Sequence, residues 1–201
     1  MIFDDYKKTK LIYHVANIND LKNILENGIS YNDKSTYKSK YYEFHKFIDT
    51  YKIQEIPKWI VRRKAIFGSM NFNDKHTFHS HSAVLGININ PEMCWIANEN
   101  LVNEIYEPFI LKNIKEFNYM NKYIESIGIQ NIKEYWNTSL SFKDNIILRK
   151  DKEVGYDCEV LIFHDVKPKD IKLISIVSDH RYIKNIDLKN TYSIKGEDDW
   201  R

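Results

Sequence analysis

A chain of 201 residues with 43% hydrophobic and 29% charged residues can bury a core without disulfides or bound metals. The formal net charge of +2 excludes a chain-wide positive field as the basis of nucleic-acid binding, so such binding would need a local patch. Cys94 and Cys158 have neither a CxxC partner nor a metal-ligand spacing. No stretch predicts a signal peptide or a membrane span, so we expect a cytoplasmic protein that does not contact membranes. We predict one domain over residues 1–201, with a frayed tail at 191–201.

The predicted elements alternate irregularly along the chain. Apolar runs and alternating patterns predict strands at residues 11–16, 65–72, 83–89, 93–96, 156–163 and 171–177. Helical spacing predicts helices at residues 19–28, 41–52, 101–109 and 114–127. Asn19 would cap the start of the first helix, and Gly28 would end it. The segment 132–149 fits a helical turn followed by a strand at 145–148. Because no regular βαβ alternation is present, we predict an α+β fold.

Two acids stand beside the most apolar part of the chain. The run from Val160 to Phe163 predicts a buried strand, and Glu159 adjoins it directly. Since side chains two apart on a strand share a face, Asp157 and Glu159 should project together. A carboxylate there is costly unless it is solvated, paired or used in chemistry. The pattern leaves two interpretations, a strand that begins in water and a functional site.

Two windows of the chain carry a family pattern. In the first, Leu-Ile-Tyr-His-Val-Ala begins at Leu11, and Ile-Leu and Gly-Ile pairs follow, the second at Gly28. In the second, Cys-Glu-Val-Leu-Ile begins at Cys158, and Pro168 and an isoleucine-rich strand at 171–177 follow. In this order and spacing, the windows resemble the DarT family of ADP-ribosyltransferases. The resemblance implies an α+β fold whose core is a split, mixed or antiparallel β-sheet with flanking helices.

The chain also departs from the family pattern. Asn17 stands where the family has a second histidine, and Asn19-Asp20 inverts its Asp-Asn pair. The stretch 67–72 has no convincing match to the family's cofactor loop. The acceptor of the ADP-ribose group is therefore left open.

The resemblance implies an NAD-dependent mono-ADP-ribosyltransferase with a toxin or defence role. NAD would be the co-substrate, and no metal would be required. The acceptor would be a nucleic acid, as single-stranded DNA or RNA, or a protein, and an antitoxin or ADP-ribosyl hydrolase would be the partner. Breaking the bond between nicotinamide and ribose produces an oxocarbenium-like sugar. A carboxylate in a water-poor cleft can bind the 2′-hydroxyl and stabilise the developing positive charge, and we assign this catalytic role to Glu159.

Further residues are assigned to the same predicted site. His14 could bond a ribose hydroxyl or a phosphate of NAD, or could be an ordinary core imidazole. An arginine fork suits pyrophosphate or an acceptor, and we prefer Arg63 as catalytic and Arg62 as cofactor-binding, against a solvated basic face. The remaining cofactor-binding candidates are Tyr13, Asn17, Asn19 and Ser69. The candidates for acceptor binding are Asp157, Arg149 and Lys150.

Other functions fit parts of the sequence. His76, His79 and His81 form an H-x-x-H-x-H loop that could serve a metal-dependent nuclease, or could be a loop over the cleft. Four tyrosines could stack on bases or pack in the core: Tyr31, Tyr37, Tyr41 and Tyr42. The fold of the DarT-like ADP-ribosyltransferases also serves RNA 2′-phosphotransferases, but the set of arginines on which those enzymes depend cannot be matched to positions in this sequence. A catalytically silent module that binds nucleotides or nucleic acid is the alternative from a different class.

Overall fold

The computed structural model describes residues 3–31, 41–72, 78–179 and 181–184. Over these residues the strands are β1 (Ile12–Asn17), β2 (Ile66–Ser69), β3 (Ser82–Ile87), β4 (Cys94–Asn98), β5 (Leu140–Ser141), β6 (Cys158–Ile162), β7 (Ile171–Ser178) and β8 (Arg181–Lys184). They form one eight-stranded sheet in the order β5-β4-β6-β2-β1-β3-β7-β8. Each strand pairing within the described residues is antiparallel. A sheet with flanking helices confirms the predicted combination of helices and strands.

The helices within the described residues are α1 (Tyr6–Thr9), α2 (Leu21–Asn27), α3 (Tyr42–Asp49), α4 (Asn100–Leu111), α5 (Met120–Tyr123), α6 (Ile129–Thr138) and α7 (Phe142–Leu148). The predicted helix end at Gly128 is wrong, because a π-helical segment, Ile124–Gly128, continues from α5 into α6. Gly128 keeps ordinary helical angles there, with φ −60° and ψ −46°. No helix among the described residues has the length and apolar composition needed to cross a membrane.

The strand predicted at residues 145–148 is wrong, because α7 occupies this segment. Ser141 caps the helix: its Oγ accepts from the Asp144 backbone N–H at 3.1 Å and donates to the Asp144 carboxylate at 2.6 Å. A serine oxygen that accepts from a backbone N–H of the first turn stabilises a helix start. The helix buries Phe142 and Asn145, which are three residues apart, and leaves Ile147 and Leu148 exposed, as expected for one buried face of a helix.

The first predicted strand and helix are observed, with a different cap. Gly28 ends α2 with φ +85°, and a Cβ there would lie 2.3 Å from the Val166 carbonyl oxygen. A short 3-10 turn, Ile18–Asp20, precedes the helix. Asn17, rather than Asn19, provides the capping side chain, and it accepts from the Asn19 backbone N–H at 2.9 Å.

Two apolar layers cover the two faces of β6. Val160 and Ile162 pack in the cluster that includes Ile12 of β1. Leu161 packs in the second cluster, which contains buried residues of α3, α4 and α6. Because side chains alternate along a strand, Glu159 shares the face of Leu161 and points toward the helices.

The sheet is nearly divided between β1 and β2. One pair of residues, Tyr13 and Ser69, joins these strands, whereas six pairs join β1 to β3. Gly68 permits the contact, since a Cβ at this position would lie 2.5 Å from Cγ2 of Ile12. A glycine inside a strand often marks such a close approach.

Candidate functional site around Glu159

Glu159 lies near the start of β6, between β4 and β2. Its Cα pairs with Ala97 on one side and with Ser69 on the other. The residue is 2% exposed, so the interpretation as a strand that begins in water is wrong at this position. A charge taken out of water requires compensation by an opposite charge or by hydrogen bonds.

Arg62 and Tyr135 provide that compensation. The Arg62 guanidinium donates from Nε to Glu159 Oε1 at 3.2 Å and from Nη2 to Oε1 at 3.1 Å and Oε2 at 2.8 Å. The Tyr135 hydroxyl donates to Oε1 at 2.5 Å and accepts from Arg62 Nε at 3.0 Å. The side chains of the ion pair are 4% and 3% exposed. Burial and the charge of Glu159 raise the pKa of Tyr135 well above its ordinary value, so the hydroxyl stays a donor.

Aromatic rings enclose the guanidinium. The Arg62 Cζ lies 4.9 Å from the centroid of the Phe67 ring and 5.5 Å from that of Tyr135. Arg62 Nη1 also donates to Nδ1 of His45, which must therefore lack a proton on this nitrogen. The His45 and Phe67 rings are 5.2 Å apart. Low polarity around the ion pair strengthens its electrostatic interaction.

Asp49 determines which of the two consecutive arginines enters this site. At the end of α3, it accepts from the backbone N–H groups of Arg62 at 2.7 Å and Arg63 at 3.2 Å. It also accepts from Arg63 Nη1 at 3.0 Å. Burial raises the pKa of Asp49, and the arginine N–H groups and charges oppose that rise. Successive residues of a 3-10 turn point about 120° apart, so Arg62 and Arg63 cannot both face the core. Arg63 bonds Asp49, and Arg62 points inward, where it is 3% exposed. The structure thus brings Arg62 to Glu159, and Arg63, the preferred catalytic arginine, to Asp49.

The segment before β6 is held against the end of β4. The Asn98 side chain donates to the Gly155 carbonyl at 3.2 Å and accepts from the Asp157 backbone N–H at 3.0 Å. The Glu99 backbone N–H donates to the Asp157 carbonyl at 2.7 Å. Asp157 itself is exposed and precedes the strand, whereas Glu159 is buried, so the two acids differ in their access to water.

Glu99 is a second carboxyl group beside this site. It is half-buried and follows the last residue of β4. Burial and then the negative charge of Glu159 raise the pKa of Glu99 to about 7, with Arg62 acting in the opposite direction. A group with this pKa exchanges its proton near neutral pH.

The predicted cofactor-binding residues lie on and after β1 and at the end of β2. His14 Nδ1 donates to the Phe67 carbonyl oxygen at 2.6 Å. This bond connects β1 to β2, whose Phe67 ring packs on the Arg62 guanidinium. Tyr13 packs on Phe3 and donates its hydroxyl to the Asp4 carbonyl at 2.9 Å. Ser69 is opposite both Tyr13 and Glu159. The turn residues Asn17 and Asn19 are exposed.

The two basic residues predicted to bind the acceptor already contact other side chains. Arg149 Nη2 bonds Asp5 at 2.7 Å and Asp151 at 2.8 Å, so this arginine is already neutralised. The Lys150 ammonium lies 5.8 Å from the centre of the Tyr156 ring. An incoming phosphate would have to compete with two carboxylates for Arg149.

The three-histidine loop is described only in part. His76 lies outside the described residues, as does Tyr37 of the predicted stacking group, whereas His79 and His81 are exposed. Within residues 3–31, 41–72, 78–179 and 181–184, no group of three His, Cys, Asp or Glu side chains could hold a metal ion. Tyr41 packs against Tyr106 on α4, with ring centroids 5.4 Å apart.

Sequence patterns did not indicate three members of the site. His45 and Tyr135 stand among the apolar residues of helical faces, and Glu99 stands at a helix start, where acids are common. The signal available in the sequence was the unexplained acid at Glu159, which needs a buried cation and donors somewhere in the chain. No family model matches the chain, and no curated protein or solved structure matches it either. Its function must be inferred from the geometry around Glu159.

Proposed function

We propose that this chain is an NAD-dependent mono-ADP-ribosyltransferase of DarT-like fold. The acceptor would be a nucleic acid, as single-stranded DNA or RNA, or a protein, and the role would be that of a toxin or defence enzyme with an antitoxin or ADP-ribosyl hydrolase partner. The observation that carries the proposal is the buried carboxylate of Glu159, which Arg62 holds in an aromatic enclosure. A buried ion pair is costly to form and adds little to stability over apolar residues of the same size, so a chemical role is a reason for its presence.

The geometry suits a departing nicotinamide. Among the described residues, Glu159 Oε1 accepts three hydrogen bonds and Oε2 accepts one, so Oε2 retains a lone pair for a ribose hydroxyl. A fixed negative charge in a low-dielectric site stabilises an oxocarbenium-like sugar more than the same charge does in water. The proposal requires no metal, because NAD already carries a positively charged leaving group.

The arrangement of strands supports the proposal. The near division of the sheet between β1 and β2 fits the split core that the DarT resemblance implies. Tyr13, Ser69 and Glu159 are in register, so the Cα atoms of Tyr13 and Glu159 are two strand spacings apart, about 10 Å. His14 is the neighbour of Tyr13, so one dinucleotide could contact both β1 and β6.

The proposal is tested by incubating the protein with NAD that is labelled in its adenylate part. Single-stranded DNA, RNA and a cell extract are offered as separate acceptors. We expect label to become covalently attached to one of these classes, with release of nicotinamide. Absence of label from every acceptor, together with unchanged NAD, would contradict the proposal.

The burial of Glu159 favours one alternative. A ribose hydroxyl can reach a carboxylate that is 2% exposed only if a neighbouring side chain moves. A catalytically silent module that binds nucleotides or nucleic acid needs no such movement. Calorimetric titration with NAD separates the two: the enzyme should bind at millimolar concentration or below, whereas absence of heat at that concentration favours the silent module.

A further inference from the structure

Transfer of ADP-ribose leaves a proton to be removed. The bond between ribose C1′ and the nicotinamide nitrogen breaks, and its electron pair leaves with neutral nicotinamide. An N–H or O–H group of the acceptor forms the new bond to C1′ and loses its proton. A second group near Glu159 must take this proton, because Arg62 and Tyr135 bond the oxygens of Glu159 and the lone pair left on Oε2 is assigned to the ribose hydroxyl.

We propose that Glu99 is the general base that takes the proton from the acceptor during ADP-ribose transfer. This inference rests on the proposed function. Glu99 is the half-buried carboxyl group at the end of β4, beside the start of β6. Unlike Glu159, it keeps partial exposure, so an acceptor can approach it without first opening the ion pair.

The register of β4 and β6 places the two carboxyl groups on neighbouring positions. Ala97 pairs with Glu159, and the Glu99 backbone N–H bonds the Asp157 carbonyl at 2.7 Å, which extends the ladder past Asn98. The Cα atoms of diagonal neighbours in such a ladder lie about 7–8 Å apart, so side chains of this length on one face can approach a common ligand. In glycosidases that invert the sugar, two carboxyl groups about 6.5–9.5 Å apart leave room for a nucleophile between them.

The charges around Glu99 suit a base at neutral pH. Burial and the charges of Glu159 and Asp157 favour its neutral form, whereas Arg62 and the Asn103 side chain favour the carboxylate. The resulting pKa of about 7 lies close to the pH at which a cytoplasmic enzyme works. A base with this pKa is ionised often enough to accept a proton and basic enough to keep it.

The test compares the pH dependence of ADP-ribose transfer in the wild-type protein and in Glu99→Gln. In the wild type, kcat/KM should rise with pH through a midpoint near 7. In Glu99→Gln, the rate at pH 8 should fall about 100-fold, and the rise near neutral pH should disappear. NAD affinity should not change. Glu107→Gln, at an exposed position on α4, which begins directly after Glu99, is the matched control and should keep the wild-type profile.

The outcomes distinguish this inference from the proposed function. If the wild-type protein transfers ADP-ribose and Glu99→Gln keeps the same midpoint, Glu99 is not the base and the enzyme remains. If the wild type transfers nothing, both proposals fail. Asn103→Ala provides a second test that leaves Glu99 in place. Because the Asn103 side chain lowers the pKa of Glu99, its removal should move the midpoint to higher pH, and an unchanged midpoint would overturn the inference.

Discussion

Two networks of charged residues differ in what they achieve for the fold. Arg149 and Lys152 hold Asp5 and Asp151, so this network ties the segment around α1 to the turn before β6. Its members include Arg149 at 22% and Lys152 at 41% exposure, and it connects distant parts of the chain. The Arg62–Glu159 pair is about 4% exposed.

Both networks join distant segments, since Arg62 and Glu159 are 97 residues apart, but they differ in how far their cations are removed from water. Asp151 is satisfied twice by Asn145, which donates to its carboxylate at 2.9 Å and accepts from its backbone N–H at 3.0 Å. That network has an evident structural purpose. Well-packed apolar side chains in place of Arg62 and Glu159 would fill the same space without the cost of desolvating two charges. Their presence in the core therefore favours a chemical role.

The largest expected effect is on the buried pair. Arg62→Met leaves the carboxylate of Glu159 in an apolar enclosure without its cation, and should lower the free energy of unfolding by about 3–5 kcal/mol. Denaturant titration measures this loss. The double variant Arg62→Met with Glu159→Met removes both charges and should recover much of the stability. A loss below about 1 kcal/mol in the single variant would show that water already reaches the pair.

A smaller effect is expected at the other network. Arg149→Met removes one cation from Asp5 and Asp151, but Lys152 and Asn145 remain as partners. Because Lys152 and Asn145 still satisfy the buried Asp151 carboxylate, and the Arg149 side chain is itself 22% exposed, we expect a loss of about 2 kcal/mol in the same titration. A loss equal to that of Arg62→Met would remove the distinction between the two networks.

The smallest effect is a pH dependence of the free energy of unfolding, which has opposite signs in the two regions. Glu99 has a folded-state pKa of about 7 against an ordinary value of 4.5, so the folded protein binds its proton more tightly. Proton binding by Glu99 therefore adds to the free energy of unfolding, and this contribution is fully present below pH 4.5 and is lost as pH rises through 7. Wild type should therefore lose about 1–2 kcal/mol relative to Glu99→Gln between pH 5 and pH 8, after a discount for partial exposure.

Asp5 should behave in the opposite way. Burial alone would raise the pKa of Asp5, but bonds and charges from Lys152, the Lys7 backbone N–H and Arg149 lower it to about 2 from 3.8. Its stabilising effect is present above pH 3.8 and is lost as pH falls through 2. In Asp5→Asn, the free energy of unfolding should not show this decrease at acid pH. The same sign of dependence for both groups would contradict the described charge environments.

The strongest predictions from the sequence were those with a local cause. Continuous apolar residues identified the strand at Val160, and the glycine stop at Gly28 follows from local backbone geometry. The segment from Asn145 to Leu148 was misassigned because four apolar or amide residues fit both the helical period of 3.6 residues and the strand period of 2. The cap provided by Ser141 stabilises the helix.

The partners of Glu159 could not be predicted in the same way. Arg62 and Arg63 have the same chemistry, and the capping of their turn by Asp49 determines which one points inward. Tyr135 reaches the site from 24 residues before Glu159. Such contacts depend on how helices pack over the sheet, and side-chain periodicity within one segment contains no information on that packing.

The most direct test of the central claim is the release of labelled nicotinamide by Glu159→Gln. Glutamine keeps the size of the side chain and one acceptor oxygen for Arg62, while it removes the negative charge. Glu153→Gln, at an exposed position in the segment before β6, is the matched control. We predict that the wild type and Glu153→Gln release nicotinamide and transfer ADP-ribose, and that Glu159→Gln stays folded, binds NAD and loses at least about 100-fold in rate. Equal rates in all three proteins would contradict the assignment of Glu159 as the catalytic carboxylate.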